Sequence, residues 1–108
     1  MKRKTLILAA CGSLLAISGV ALAAGAVTVS QKGLAFSTAN LTIEHGTVVT
    51  FSNDDTTSHN ILVTGNGVNL NSGLQTPGMP FRVPFLKPGT YSVICGIHPK
   101  MKMTVTVN

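Results

Sequence analysis

Charge is scarce in this sequence, because only 10% of its 108 residues are charged and only three of those are acidic. The net charge of +5 overstates the basic character of the folded protein, since three of the eight basic residues lie at positions 2–4, in a segment that we expect to be removed. A nucleic-acid-binding surface needs a dense basic face, so we expect no nucleic-acid partner. The other basic residues are scattered along the chain: Lys32, Arg82, Lys87, Lys100 and Lys102.

Long apolar runs are also few, and the most prominent one lies at residues 6–20. It follows the basic residues and precedes Ala21-Leu22-Ala23, which is the charge, apolar core and cleavage pattern of a secretory signal peptide. We predict that residues 1–23 are a cleaved signal peptide and that residues 24–108 are exported to the periplasm or beyond the cell. A cut near residues 24–26 is the alternative. Glycine and serine interrupt the run, so we expect no membrane span in the mature protein.

Residues 8–11 offer a different interpretation, because Leu-Ala-Ala-Cys fits a lipoprotein box with Cys11 as the lipidated terminus. The apolar core before Cys11 would then be shorter than the about 7–15 residues that export signals use. We therefore favour removal of Cys11 with the signal peptide.

Cysteine is almost absent from the predicted mature chain, where Cys95 is the single thiol. An intramolecular disulfide is thereby excluded, and an unpaired cysteine in an oxidising compartment needs another explanation. The mature chain is long enough for one domain with a modest core, and we expect a monomer.

Helical periodicity is lacking as well, and short alternating segments are separated by turn residues, which predicts an all-β sandwich or barrel. A hairpin turn is expected at residues 44–47 with Gly46 at positive φ, and a second turn at Pro88-Gly89. Residues 64–78 are rich in glycine and asparagine and predict a loop with at most one irregular strand. The predicted strands are 27–30, 34–37, 40–44, 47–53, 60–63, 81–85, 90–95 and 101–107.

A short loop between the last two predicted strands contains Cys95, His98 and Met101. Thiolate, imidazole and thioether together suit copper, since two imidazoles and a thiolate in a plane with a weak axial methionine form an electron-transfer site. His59 precedes another β-prone run and is the candidate for the second imidazole. Met103 shares a strand face with Met101, so alternation alone leaves both methionines as candidates.

Two other groups are expected to be solvated. His45 lies in a predicted turn, and a surface position is favoured for it. Asp54 and Asp55 lie in a polar segment near His59, where we predict a solvated turn, because carboxylates are poor ligands for Cu(I).

The motifs Ser58-His59-Asn60, Gly89-Thr90-Tyr91 and Cys95-x-x-His98-x-x-Met101 together resemble the cupredoxins, in particular the amicyanin and plastocyanin branch. The resemblance covers essentially the whole predicted mature chain. It implies an eight-stranded Greek-key β-sandwich with one type 1 copper ion at one end. It also implies single-electron exchange with transient protein partners that dock near His98.

Carried over by position, the resemblance implies His59, Cys95, His98 and Met101 as the copper ligands. Asn60 matches the residue that ties the two ligand loops together. Plastocyanin spacing would select Met103 as the axial ligand. We expect Met101, because in the family the last strand runs six residues beyond this ligand.

We therefore expect an exported blue-copper electron carrier, with a periplasmic copper carrier that undergoes no redox cycling as the alternative. An enzyme is not expected, because a copper oxidase or nitrite reductase needs a second metal centre and His45 is the only remaining histidine. A zinc site and a metal-free sandwich are the other interpretations.

Overall fold

The computed structural model describes residues 25–108, which form eight strands and no helix. A three-stranded sheet has the order β1-β3-β6 and a five-stranded sheet the order β2-β8-β7-β4-β5. The all-β sandwich predicted from the sequence is therefore confirmed. No helix among these residues has the length and apolar character needed to cross a membrane. The strands are β1 (Ala26–Gln31), β2 (Asn40–Ile43), β3 (Thr47–Asn53), β4 (Ile61–Gly65), β5 (Val68–Asn71), β6 (Pro80–Phe85), β7 (Gly89–Cys95) and β8 (Lys102–Val107).

Alternating side chains build the core between the two sheets. In β7 every second residue from Tyr91 to Cys95 is buried, and in β8 the buried set is Met103, Val105 and Val107. The opposite sheet contributes Val49 and Phe51 from β3 and their neighbours. Because successive strand residues point to opposite faces, the alternation of apolar residues in β7 and β8 directs every second side chain into the core.

The predicted strand at residues 34–37 is wrong. Gly33 and Leu34 have φ of 65° and 57°, which is left-handed backbone and not extended. The chain turns here, with the N–H of Lys32 donating to the carbonyl of Ala35 at 3.0 Å. Only a single bridge between Gln31 and Phe36 remains of the expected strand.

The glycine-rich stretch 64–78 contains one strand, β5, which forms a hairpin with β4. Asn66 and Gly67 connect the two strands with φ of 45° and 80°. Positive φ at both central residues is typical of the tight two-residue hairpin turn. β5 is a mostly exposed edge strand of only four residues, and its short alternation of apolar and polar residues was hidden among the turn residues of this stretch.

The turn at residues 44–47 exists, and Gly46 has the expected positive φ of 89°. It is not a hairpin turn, however. β2 pairs with β8 in the five-stranded sheet, whereas β3 pairs with β1 and β6 in the other sheet. The turn therefore carries the chain from one sheet to the other.

Two neighbouring strands bring the predicted ligands to one end of the sandwich. β4 and β7 are antiparallel, and Ile61 at the start of β4 is opposite Cys95 at the end of β7. His59 lies two residues before Ile61, so the pairing register places it beside Cys95. The predicted signal peptide, residues 1–23, lies outside the described residues.

Candidate metal centre

Three donor atoms converge at the end of β7. Cys95 Sγ lies 3.6 Å from His59 Nδ1 and 3.7 Å from His98 Nδ1, and the two nitrogens are 3.3 Å apart. A point equidistant from the three atoms is about 2.0 Å from each, close to the roughly 2.0–2.3 Å of metal–nitrogen and metal–sulfur bonds. The side chains therefore form a triangle of the size that a trigonal metal site requires.

The backbone of the β7–β8 loop holds this triangle in place. The N–H of Cys95 donates to the carbonyl of Met101 at 3.0 Å, and the N–H of Met101 donates to the carbonyl of His98 at 2.8 Å. These bonds close a compact loop between the two strands. His98 consequently projects back towards Cys95, while its ring stays partly exposed.

Asn60 and Gly96 join the two ligand-bearing segments. The N–H of Gly96 donates to the carbonyl of Asn60 at 2.8 Å, and the Asn60 side chain donates to Asn71 Oδ1 and to the carbonyl of Gly73. A Cβ at Gly96 would lie 2.5 Å from Asn60 Oδ1, so a side chain at this position would displace the Asn60 amide. The sequence motif included Asn60, but it gave no indication that Gly96 lies directly against it.

His59 is fully buried and makes a hydrogen bond that the sequence did not predict. Its Nε2 lies 2.8 Å from Asp55 Oδ2. The carboxylate also accepts the N–H groups of Gly33 at 2.6 Å and Leu34 at 3.1 Å. The prediction of a solvated turn is thus wrong for Asp55, because the left-handed backbone at 33–34 turns two amides towards it.

The partners of Asp55 fix its charge. Its burial by itself would raise the pKa of this carboxyl, but the hydrogen bonds from His59, Gly33 and Leu34 outweigh it and hold the pKa below its usual value. An ionised carboxylate can only accept hydrogen bonds, so the His59 proton resides on Nε2. Nδ1 is then left with its lone pair directed at Cys95 and His98.

The two candidate methionines occupy different environments. Met103 is opposite Val93 in the β7–β8 register and belongs to the hydrophobic core. Met101 is equally buried but is not part of that core, and its backbone is bonded to Cys95 and His98. Strand alternation alone could not distinguish the two methionines. In the structure β8 begins at Lys102, so Met103 lies within the strand and Met101 lies in the loop before it.

His45 lies at the other end of the sandwich. It is exposed, and its Nδ1 is 3.0 Å from the carbonyl of Asn108, just beyond β8. β8 begins beside Met101 and spans about 20 Å, so His45 is remote from the cluster. Among residues 25–108, the group of histidine, cysteine and carboxylate side chains close enough to hold a metal is His59, Cys95 and His98.

Comparison with known proteins also indicates a copper-binding protein. A family model for copper binding proteins of the plastocyanin/azurin family matches residues 23–108. Amicyanin-alpha of Methylorubrum extorquens is 34% identical over 87 residues, which cover 78% of this chain and 73% of that protein.

Two solved structures are similar in fold and sequence. A purple cupredoxin from Nitrosopumilus maritimus has a TM-score of 0.67 and 31% identity, over 76% of this chain and 99% of that one. A copper-containing nitrite reductase from Thermus scotoductus has a TM-score of 0.70 and 32% identity, over 76% of this chain and only 22% of that one. The matched part of this chain thus corresponds to nearly the whole length of the purple cupredoxin, but to only about a fifth of the length of the nitrite reductase.

Proposed function

Because the chain belongs to the plastocyanin/azurin family of copper-binding proteins, we propose that it is an exported one-electron carrier whose ligands are His59, Cys95, His98 and Met101. The observation that carries this proposal is the triangle of two imidazole nitrogens and one sulfur. Its donor set and its size suit a type 1 copper site.

The fourth ligand is Met101. Its burial outside the packed core and its backbone hydrogen bonds to Cys95 and His98 support this assignment over Met103. An axial thioether is a long and weak ligand in such sites. Met101 is therefore expected to tune the site more than to hold it together.

Rigidity favours electron transfer over copper delivery. Bound copper supplies one exchangeable electron, and a site that keeps the same geometry in both oxidation states minimises rearrangement. His59 and Cys95 are both fully buried; Cys95 ends β7, and His59 lies two residues before the paired strand β4. A carrier that hands over its metal would need more accessible ligands.

The partner surface is proposed to surround His98, the half-exposed ligand. Small apolar patches of this kind suit transient redox complexes, in which little surface is buried. The fully buried His59 cannot provide the same access. Exposed residues of this surface are Met79, Pro80, Gly96, Ile97 and Pro99, with Lys100 at the rim.

Export to the periplasm is proposed from the signal-peptide pattern of residues 1–23. We also propose that the protein is a monomeric carrier and not an enzyme. His45, the one histidine outside the cluster, lies at the far end of the sandwich, where it cannot contribute to a second metal centre near the first.

The visible spectrum tests the function. Addition of Cu(II) to the purified protein should produce an intense band at about 600 nm, which requires a Cu(II)–thiolate bond. Ascorbate should bleach the band and ferricyanide should restore it over repeated cycles. A protein that binds Cu(I) tightly, gives no such band and releases the metal to a chelator would instead be a carrier.

A further inference from the structure

A second contact holds His59, through its backbone. The N–H of His59 donates to the carbonyl of Gln75 at 2.9 Å, and the N–H of Gln75 donates to the carbonyl of His59 at 2.8 Å. This reciprocal pair is an isolated bridge outside the named strands. The position of His59 therefore depends on what holds residue 75.

The side chain of Gln75 is buried and anchors that residue to the opposite sheet. Its Nε2 donates to the carbonyl of Phe51 at 2.8 Å and to that of Met79 at 2.6 Å, while its Oε1 accepts from Gln31 Nε2 at 2.7 Å. Phe51 lies in β3 and Gln31 in β1. The side-chain amide of Gln75 thus bonds to the three-stranded sheet, while the backbone of Gln75 bonds to His59, just before β4 of the five-stranded sheet.

Asn53 adds a further bond from the same sheet. Its Nδ2 donates to the carbonyl of Gln75 at 2.8 Å and to that of Thr57 at 2.9 Å. The carbonyl of Gln75 consequently accepts from both Asn53 and His59. Hydrogen bonds therefore hold both the side chain and the main chain of Gln75.

Stability alone does not account for this buried polar cluster. Within residues 25–108, Gln31 Oε1 is buried and has no hydrogen-bond partner among the protein atoms. An unsatisfied buried acceptor destabilises the fold, and apolar side chains of similar shape would avoid this cost. A partly satisfied network is better explained by a geometric task.

We infer that Gln75 is a positioning residue for the metal centre, which fixes the depth of His59 and hence the distance from His59 Nδ1 to Cys95 Sγ. The inference rests on the proposed role of His59 as a ligand. The hydrogen bond to Asp55 fixes the rotation of the imidazole ring. The bonds to Gln75 fix the position of the His59 backbone, from which the side chain extends. Together they leave the buried imidazole little freedom before any metal binds.

The test compares Gln75→Met with wild type. Methionine has a similar length but can neither donate to the two carbonyls nor accept from Gln31. We expect the ratio of Cu(II) to Cu(I) affinity to change about threefold to tenfold, the larger value corresponding to about 59 mV in the reduction potential. The electron paramagnetic resonance spectrum should become more rhombic.

Tyr91→Phe is the matched control. Tyr91 is buried and its hydroxyl donates to the carbonyl of Lys87 at 2.7 Å, away from the ligands. This variant should lower the melting temperature without altering the potential or the resonance spectrum. If Gln75→Met behaves like Tyr91→Phe, losing stability only, then Gln75 is structural and the inference is overturned.

Gln31→Met serves if Gln75→Met does not fold. It removes the donor to Gln75 Oε1 and leaves both carbonyl contacts of Gln75 intact. We expect a smaller change in the potential together with a resonance spectrum slightly more rhombic than that of wild type. A potential equal to that of wild type in this folded variant would overturn the inference.

A measurement on the copper-free protein separates this inference from the proposed function. The proton on His59 Nε2 is buried and bonded to Asp55, so it should exchange slowly and be visible by nuclear magnetic resonance. Faster exchange in Gln75→Met than in Tyr91→Phe would support positioning. Equal exchange rates would contradict it. A wild-type protein without the 600 nm band would refute the proposed blue-copper electron-transfer function alone.

Discussion

His59 donates its Nε2 proton to Asp55 Oδ2 across 2.8 Å, and its Nδ1 faces Cys95 Sγ at 3.6 Å. The carboxylate thereby determines which imidazole nitrogen is free to bind a metal. A histidine ligand usually donates its other ring N–H to such a partner, which fixes the tautomer and raises the basicity of the ligand. In the proposed metal centre, Asp55 would therefore orient a ligand without being a ligand itself.

Removal of that acid should weaken metal binding. Asp55→Ala is expected to lower copper affinity by about 10- to 100-fold, which is the usual effect of losing such a partner. Competition with a Cu(I) chelator measures the change. Asp54→Ala is the matched control, because Asp54 bonds to Ser30 and Ser52 and not to His59. Equal losses in the two variants would contradict the role assigned to Asp55.

Loss of the sulfur or of the buried imidazole should abolish the blue site. Cys95→Ser removes the thiolate and should eliminate the band at about 600 nm, while the domain stays folded because other residues build the core. His59→Ala should also eliminate the band, since His45 is too remote to replace it. Circular dichroism checks the fold, and a blue Cys95→Ser protein would refute the site.

The two methionines should respond differently to truncation. Met101→Ala is expected to shift the reduction potential and leave a copper site, because the axial bond is weak. Met103→Ala is expected to cost about 2–5 kcal/mol in the free energy of unfolding and to leave the spectrum unchanged, because it creates a core cavity. A spectral change in the Met103 variant alone would reverse the axial assignment.

The charge of Lys100 should influence partner binding. It is exposed at the rim of the proposed docking surface, where charge mainly changes the encounter rate and its salt dependence. Lys100→Glu should therefore slow electron transfer with an acidic partner at low salt and leave the potential nearly unchanged. Lys87→Glu, in the turn before β7, is the control. Stopped-flow rates that are equal for wild type and both variants would argue against this surface.

Asp54 should make part of the stability depend on pH. Hydrogen bonds from the hydroxyls of Ser30 and Ser52 hold the pKa of Asp54 below its usual value of 3.8. Because the folded value is the lower one, the stabilisation is present above pH 3.8 and is lost as the pH falls through the folded pKa. Ser30→Ala should raise the pKa of Asp54, and a titration followed by nuclear magnetic resonance checks this. An unchanged pKa would show that the Ser30 bond is absent in solution.

Local sequence patterns were sufficient to predict several strands and the ligand-bearing loop of this protein. Alternation of apolar and polar residues was sufficient for β3, β7 and β8, since a strand exposes every second side chain to the core. The Cys95, His98 and Met101 spacing predicted the loop that bears the ligands, because all three lie within seven residues. His59 could be proposed from chemistry, as the most suitable imidazole that remained.

Tertiary structure decided what depends on contacts between distant segments. The β4–β7 register brings His59 to Cys95 across 36 positions of sequence, and the left-handed turn at Gly33 and Leu34 brings two amides to Asp55. Gln75 meets His59 through an isolated bridge in an irregular segment. Short-range periodicity contains no information on such pairings, because hydrogen bonds between loops depend on where the packed sheets place the backbone.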